Sequence, residues 1–354
     1  MKRFPFKPAS DFEGNILTSS GDIKPRSFSR SFSIKPYQEG DENKILKYFS
    51  ETFPRKREEA EWNWIYRNTT SGARIMLGWS ETGEVAAHYA ALINRAILNN
   101  EEIFIGNVRD IFTAPHYRGA REGRKLLIVE TAQEFFDAWT GPGKMPFCFG
   151  FPNSRHTKLG KLTMNYREFS HWHFCRLELS GYQHQKTGAT GKVNQVETFD
   201  NRFDELWNKE KNKRSFSPVR DASFLNWRFV NNPSQKYQIW SYSPFLSKEV
   251  SGYIVVLIRS NEAFLVDFHF PPSLQASCSF WGEIIDILRW NGIKSVSTWF
   301  SSAVKALFLM KELGFTEMQK DPKMEPVFRS FHPNLDEDWC NANFYCTMAD
   351  SDLY

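Results

Sequence analysis

No Cys-x-x-Cys pair occurs in this chain of 354 residues, and its five cysteines are scattered from Cys148 to Cys346. That excludes a zinc ribbon and a disulfide framework, and it predicts reduced, mostly buried thiols. No apolar run approaches the ~18–20 residues a membrane-spanning helix needs, so no stable membrane insertion is expected. Residues 1–15 carry cations but no apolar stretch behind them, which argues against an export signal and for a cytoplasmic protein. Charge of one sign is scarce as well. Lys+Arg 45 against Asp+Glu 41 leaves +4, too little for a nucleic-acid-binding surface. What is plentiful is aromatic side chain, 16% of residues within a hydrophobic fraction of 41%, enough for large cores. The length suits two domains.

Residues 1–31 lack apolar periodicity and read as a flexible arm. Order begins near Ser33 with a short strand. Ile45, Leu46, Tyr48 and Phe49 then give helical spacing over Glu42–Phe53, and Arg57–Asn68 reads as a second helix. Strand-like runs follow at Ala73–Ser80, Glu84–Leu98 and Glu101–Ala114. A helix over Lys125–Trp139, a strand over Met145–Phe151, a short helix after Asn153 and two strands bring the first domain, 32–182, to its end. The order is α+β, a mixed sheet flanked by helices. Residues 183–195, rich in Gly, Thr and Lys, read as a linker. Asn63–Asn68 can be laid on Asn226–Asn231 at an offset of 163, and the same order of elements follows both. A structural duplication over 196–330 is expected, with a tail at 331–354.

Asn107–Arg124 is the informative stretch: a strand leads into a basic, glycine-containing turn that opens a helix. Backbone N–H groups in a first helical turn have no internal partners, and the macrodipole adds positive character, so such a start suits phosphates. Gly119 and Gly123 allow close backbone approach. Arg118, Arg121, Arg124 and Lys125 surround them. A ligand carrying a pyrophosphate fits this better than a neutral one.

With Pro115-His116-Tyr117-Arg118-Gly119 and Gly123 in place, residues 33–180 resemble the GNAT superfamily of acyl-CoA-dependent N-acetyltransferases. Arg121 stands where that family's motif has its middle glycine. The resemblance implies acetyl-CoA as the acyl donor and no metal. It places Ile111, Phe112 and Thr113 beside the pantetheine arm, and Arg118, Gly119, Ala120, Arg121, Gly123 and Arg124 at the pyrophosphate. It also puts Asn153 against the donor and makes 145–151 a strand that splays away to open the slot. The second half looks like a degenerate GNAT fold that binds no CoA and walls the acceptor cleft. Asp350-Ser351-Asp352 resembles a signature of tandem GNAT proteins of bacterial surface-polysaccharide synthesis.

The implied reaction is direct attack of an amine on the acetyl carbon, with a small-molecule or sugar-linked amine as acceptor. Asp110, an acid in an apolar strand, is the first candidate for the base, against a structural pair with Arg109 or Arg118. Strand alternation points it away from the face of Ile111 unless a bulge intervenes. The family's tyrosine acid falls at Gly160, so Tyr166 is the substitute. His88 and Tyr89 are candidates for the acceptor cleft, and Asp267 for an acceptor sugar. A catalytically silent scaffold or acyl-CoA sensor, and an aminoacyl-transferring cell-wall enzyme, are the competing readings. His171-x-His173 lacks a third ligand nearby, Cys148 lacks a His in reach, and Trp62, Trp64 and Trp227 read as core.

Overall fold

The computed structural model describes residues 26–27, 32–183, 191–301, 304–319 and 325–354. Most of the expected arm and residues 184–190 of the expected linker lie outside them. Two compact units divide the chain. Among the described residues, no helix is long and apolar enough to cross a membrane.

The first unit gathers Met1–Ala96, Glu101–Phe169 and Lys323–Glu337. Its elements are β1 (Phe32–Pro36), α1 (Glu42–Thr52), α2 (Glu59–Tyr66), β2 (Ala73–Ser80), β3 (Val85–Leu98), β4 (Glu101–Thr113), α3 (Leu127–Trp139), β5 (Phe147–Gly150) and α4 (Ser154–Thr163). The sheet runs β1-β2-β3-β4-β5, then Val327–Ser330, then Arg167–Glu168. β3 is buried along nearly its whole length because both its faces are covered. Tyr89, Phe135 and Phe136 form one aromatic cluster on the α3 side. Trp62 is fully buried and Trp64 nearly so, both on α2.

The second unit holds most of Ser170–Pro322 together with Asp338–Tyr354. Its elements are β6 (Trp172–Glu178), β7 (Gly191–Gln195), α5 (Asn201–Glu210), β8 (Tyr237–Pro244), β9 (Gly252–Arg259), β10 (Glu262–His269), α6 (Leu274–Trp290), β11 (Ser295–Ser301) and α7 (Val304–Glu312). Its sheet runs β7-β8-β9-β10-β11-β6 and ends on Thr316–Met318.

Four segments are placed differently from the sequence reading. β6 was expected in the first domain but pairs with β11 in the second sheet, through seven residues from Trp172 to Glu178. Conversely, Val327–Ser330 joins the first sheet, antiparallel to β5. Each sheet is thus completed by a strand from the other half of the sequence. Gly191–Gln195, placed in the linker, is the edge strand β7. Residues 338–354, placed in a tail, are built into the second unit.

The duplication shows in the ion pairs as well as the element order. In the first unit Arg57 donates through Nη1 and Nη2 to Asp110 on β4, and Tyr66 donates to the same carboxylate. In the second, Arg220 donates to Asp267 on β10, and Tyr253 adds a hydrogen bond at 2.8 Å. Arg57 and Arg220 stand 163 apart (220 − 57), the offset of the aromatic helical repeat. Both aspartates sit at bulges: Asp110 has φ +54°, and the β9–β10 register shifts beside Asp267.

Candidate functional site

β4 and β5 are parallel neighbours only over Gly106–Val108 and Cys148–Gly150. β5 ends there while β4 runs on to Thr113. Gly150 makes the crossing possible, because a Cβ there would stand 2.9 Å from the Val108 carbonyl oxygen. The backbone of 109–113 therefore has an open flank among the described residues, where an extended ligand can pair as an added strand.

The bulge at Asp110 sets what this flank presents. Before it, odd residues of β4 are buried (103, 105, 107, 109); after it, even ones are (110, 112). An extra residue in the strand reverses the alternation. The argument from alternation against Asp110 therefore fails, yet the carboxylate is no free base. It is held by Arg57 and Tyr66, not by Arg109 or Arg118. Burial pushes its pKa up, but the Arg57 charge and these hydrogen bonds pull it down to about 2. A carboxylate so committed orders the bulge and does not accept a proton near neutrality.

His88 and Tyr89, adjacent in β3, face opposite sides of the sheet and cannot line one cleft. His88 turns to the bulge: its Nδ1 lies 2.7 Å from the Asp110 carbonyl, and its ring stacks on Phe112 at 5.0 Å. Burial lowers its pKa to about 4, against the pull of the Asp110 charge. Tyr89 turns to α3 and shares a 2.7 Å hydrogen bond with the Tyr166 hydroxyl. The Tyr166 ring lies against Gly160, where any Cβ would overlap it. A missing side chain on α4 is thus what seats Tyr166. Burial raises its pKa, so the hydroxyl keeps its proton. Cys148 is likewise pushed up to about 12 by burial, which makes it a poor nucleophile.

The basic turn departs from expectation. Pro115–Tyr117 form one 3-10 turn, locked by Tyr117 donating to Glu84. Hydrogen bonds from Tyr117 and Tyr48 hold that carboxylate at about 2. Arg121–Leu126 then fold as a small hairpin, Arg121 opposite Leu126 and Glu122 opposite Lys125. Gly123 at φ +59° suits the first central position of its two-residue turn. Arg121 is extended in this hairpin, so replacing the family's glycine costs no left-handed strain there. The helix starts at Leu127, two residues late, without a side-chain cap. Gly119 is left-handed, and Arg118, Arg121 and Arg124 are exposed around it. The Leu127 N–H already donates to the Ala120 carbonyl at 2.9 Å, but a helix start without a side-chain cap beside exposed cations fits a polyphosphate. Asn153 is exposed, and its Oδ1 caps α4 by accepting from the His156 N–H at 3.0 Å.

In the second unit the corresponding flank is filled by the chain itself. β10 and β11 pair over Glu262–Phe264 and Ser295–Ser297. Beyond that, Thr347 bridges to Phe300, and the Ser301 N–H donates to the Cys346 carbonyl at 3.0 Å. Thr347 Oγ1 also donates to Asp267 at 2.7 Å, and Arg220 ties Asp350 in. Arg228 holds the carbonyls of Ala349, Ser351 and Tyr354. Asp267 is buried in this network and is not available to a sugar. Sequence reasoning missed Arg57, Arg220 and Arg228 because their partners lie dozens of residues away.

Residues 33–134 match the family described as Acetyltransferase (GNAT) domain. No curated protein matches the chain. Among solved structures, it is similar to a probable N-acyltransferase of unknown function from Enterococcus faecalis V583 (TM-score 0.68, 13% identity, 85% of this chain and 73% of that one). It is also similar to a tandem GNAT protein of clavulanic acid biosynthesis (0.53, 11%, 86% and 100%). A third likeness is to a fungal multi-domain protein with a GCN5-related glucosamine N-acetyltransferase region (0.53, 11%, 85% and 38%). Among the described residues no three His, Cys, Asp or Glu are grouped to hold a metal. His173 of the His-x-His pair faces Glu317 at 2.8 Å.

Proposed function

We propose that this chain, which has a tandem GNAT fold and whose residues 33–134 match the GNAT acetyltransferase domain family, transfers acetyl from acetyl-CoA to an amino sugar. The open flank of β4 carries the reading, because the second unit closes its own with residues 344–350. The donor's pantetheine arm pairs with the backbone of Ile111–Thr113, and a backbone N–H at the bulge faces the developing oxyanion. Arg118, Gly119, Ala120, Arg121, Gly123 and Arg124 hold the pyrophosphate with the start of α3, and Asn153 adds its amide nitrogen. Tyr166, protonated and seated by Gly160, is the proton donor for the leaving thiolate. An amine acceptor follows from the chemistry. The sugar rests on Asp350-Ser351-Asp352 and on the likeness to the fungal glucosamine region.

Calorimetric titration with acetyl-CoA, followed by glucosamine acetylation, tests the reading. One site per chain and transfer to the sugar amine are expected. No binding at millimolar donor turns the choice to a scaffold or an aminoacyl-transferring enzyme. Two sites per chain would show that residues 344–350 do not close the second flank.

A further inference from the structure

In the second unit a groove of about 810 Å³ lies along β7, β8 and the start of α5. Ordinary ligand sites have volumes of about 300–1,000 Å³. The duplication shows how the space arises. Tyr37, just after β1, donates its N–H to the Ile75 carbonyl at 3.0 Å, and Val196, just after β7, donates to the Ile239 carbonyl at 2.9 Å. Ile75 and Ile239 therefore hold the same place. Two residues at a time along that face, Leu77 then matches Ser241 and Trp79 matches Ser243. Leu77 and Trp79 are buried, and the ammonium groups of Lys35 and Lys44 sit 4.9 and 5.0 Å from the indole. Two serines in place of those large side chains leave the groove of the second unit open.

Ser241 and Ser243 line this groove although they are only 3% and 6% exposed. Among the described residues neither hydroxyl has a hydrogen-bond partner. On β7, Asn194 stands opposite Ser241 and Lys192 opposite Ser243. Unpaired polar groups on the floor of a groove call for a polar occupant. The rim has the opposite character, with Phe245 66% and Leu246 92% exposed. Leu246 is also left-handed at φ +62°, which is strained for a bulky side chain, and such strain gathers at ligand clamps. Charge nearly cancels. Arg202 is held by Asp200 at 2.8 Å, which leaves Lys192 and Lys248 against Glu197 among the lining residues. A polyphosphate or a nucleic acid needs a stronger positive field than this. Water alone gives no reason to hold Phe245 and Leu246 out in solvent.

We infer that this groove binds an oligosaccharide. A pyranose ring carries hydroxyls around its edge and apolar C–H groups on its faces, the same division of polar floor and apolar rim. The edge pairs with Ser241, Ser243 and Asn194, and a face lies on Phe245. Lys192 and Lys248 admit an acidic sugar unit without requiring one. All these residues belong to the second unit, whereas the donor flank of β4 belongs to the first. The inference therefore does not depend on the acetyl-transfer reading. A chain that holds a glycan here distinguishes an oligosaccharide from its free monosaccharide.

Calorimetric titration of the full chain with tetrasaccharides of N-acetylglucosamine, glucose and galacturonate, beside tripolyphosphate, tests the inference. At least one tetrasaccharide should bind one-to-one, and tripolyphosphate should not displace it. Ser243→Trp puts the matching residue of the first unit into the groove and should weaken that binding about tenfold or more. Thermal unfolding checks that the variant is folded. Should Ser243→Trp fail to fold, Phe245→Ala decides, since its side chain is exposed and its loss leaves the core intact; the same weakening of about tenfold is expected. No heat from any of the three sugars at about 10 mM overturns the inference. So does displacement by tripolyphosphate, which would make this an anion site. Affinity within about threefold of the native protein in the deciding variant overturns it as well.

Discussion

Replacing Asp110 with Asn separates the two roles an acid at this position can have. Asparagine is close in shape and tolerates the left-handed backbone at φ +54°, so the substitution removes charge without adding strain. The pair it breaks is buried, with Arg57 and Asp110 side chains 4% and 5% exposed. Holding the carboxyl at about 2 instead of 3.8 contributes about 2 kcal/mol. Because the folded value lies below the unfolded one, that contribution is present above pH 4 and fades as pH falls through 2. Stranding a buried guanidinium raises the cost toward ~3–5 kcal/mol. Glu61, 3.3 Å from Arg57 Nε, offsets part of it. A loss of about 3 kcal/mol corresponds to roughly 6–12 °C in Tm for a unit of this size. Thermal unfolding at pH 7 and pH 2.5 should show that gap at the higher pH and a smaller one at the lower. An unchanged Tm with collapsed turnover would refute the structural assignment and return Asp110 to the role of base.

Other consequences can be checked in the same way. Gly160→Ala should push Tyr166 off α4 and break its bond to Tyr89; it should lower turnover and cost about 1–3 kcal/mol, and unchanged kinetics would argue against Tyr166 as proton donor. Arg118→Ala with Arg124→Ala should weaken acetyl-CoA binding, most at low salt, since both are exposed; equal affinity at every ionic strength would remove the pyrophosphate assignment. Arg228→Ala should release the segment around Ala349–Tyr354 and expose it to limited proteolysis, costing about 2–4 kcal/mol; a protease-resistant variant of native stability would count against the clamp.

Some of this was legible in the residues. Ala73–Ser80 reads as a strand from its buried apolar run and is β2 over the same residues. The offset of 163 pointed to the duplication before any coordinate did. Other features depend on information that a linear pattern does not carry. The helical period continues through Lys125 and Leu126, but their pairing with Arg121 and Glu122 draws them into a hairpin, so α3 starts late. The charge of Asp110 marked it as unusual, while its φ and its partner 53 residues upstream decide what it does. β6 follows the first domain in sequence and looks like its last strand; only pairing with β11 assigns it elsewhere.

That exchange of strands has a consequence in time. On a ribosome the first sheet reaches β5 at residue 150, yet its next strand, Val327–Ser330, is still 177 residues away (327 − 150). At about 5–20 residues per second, β5 waits some 9–35 s with one edge unpaired. The amino-terminal half of this chain therefore cannot finish folding first, as successive domains ordinarily do. Strand pairing over such a separation also slows folding once synthesis is complete. A chain stalled near residue 190 should expose β5 to chaperones or proteases, and the first sheet should become protease-resistant only after residue 330 has emerged.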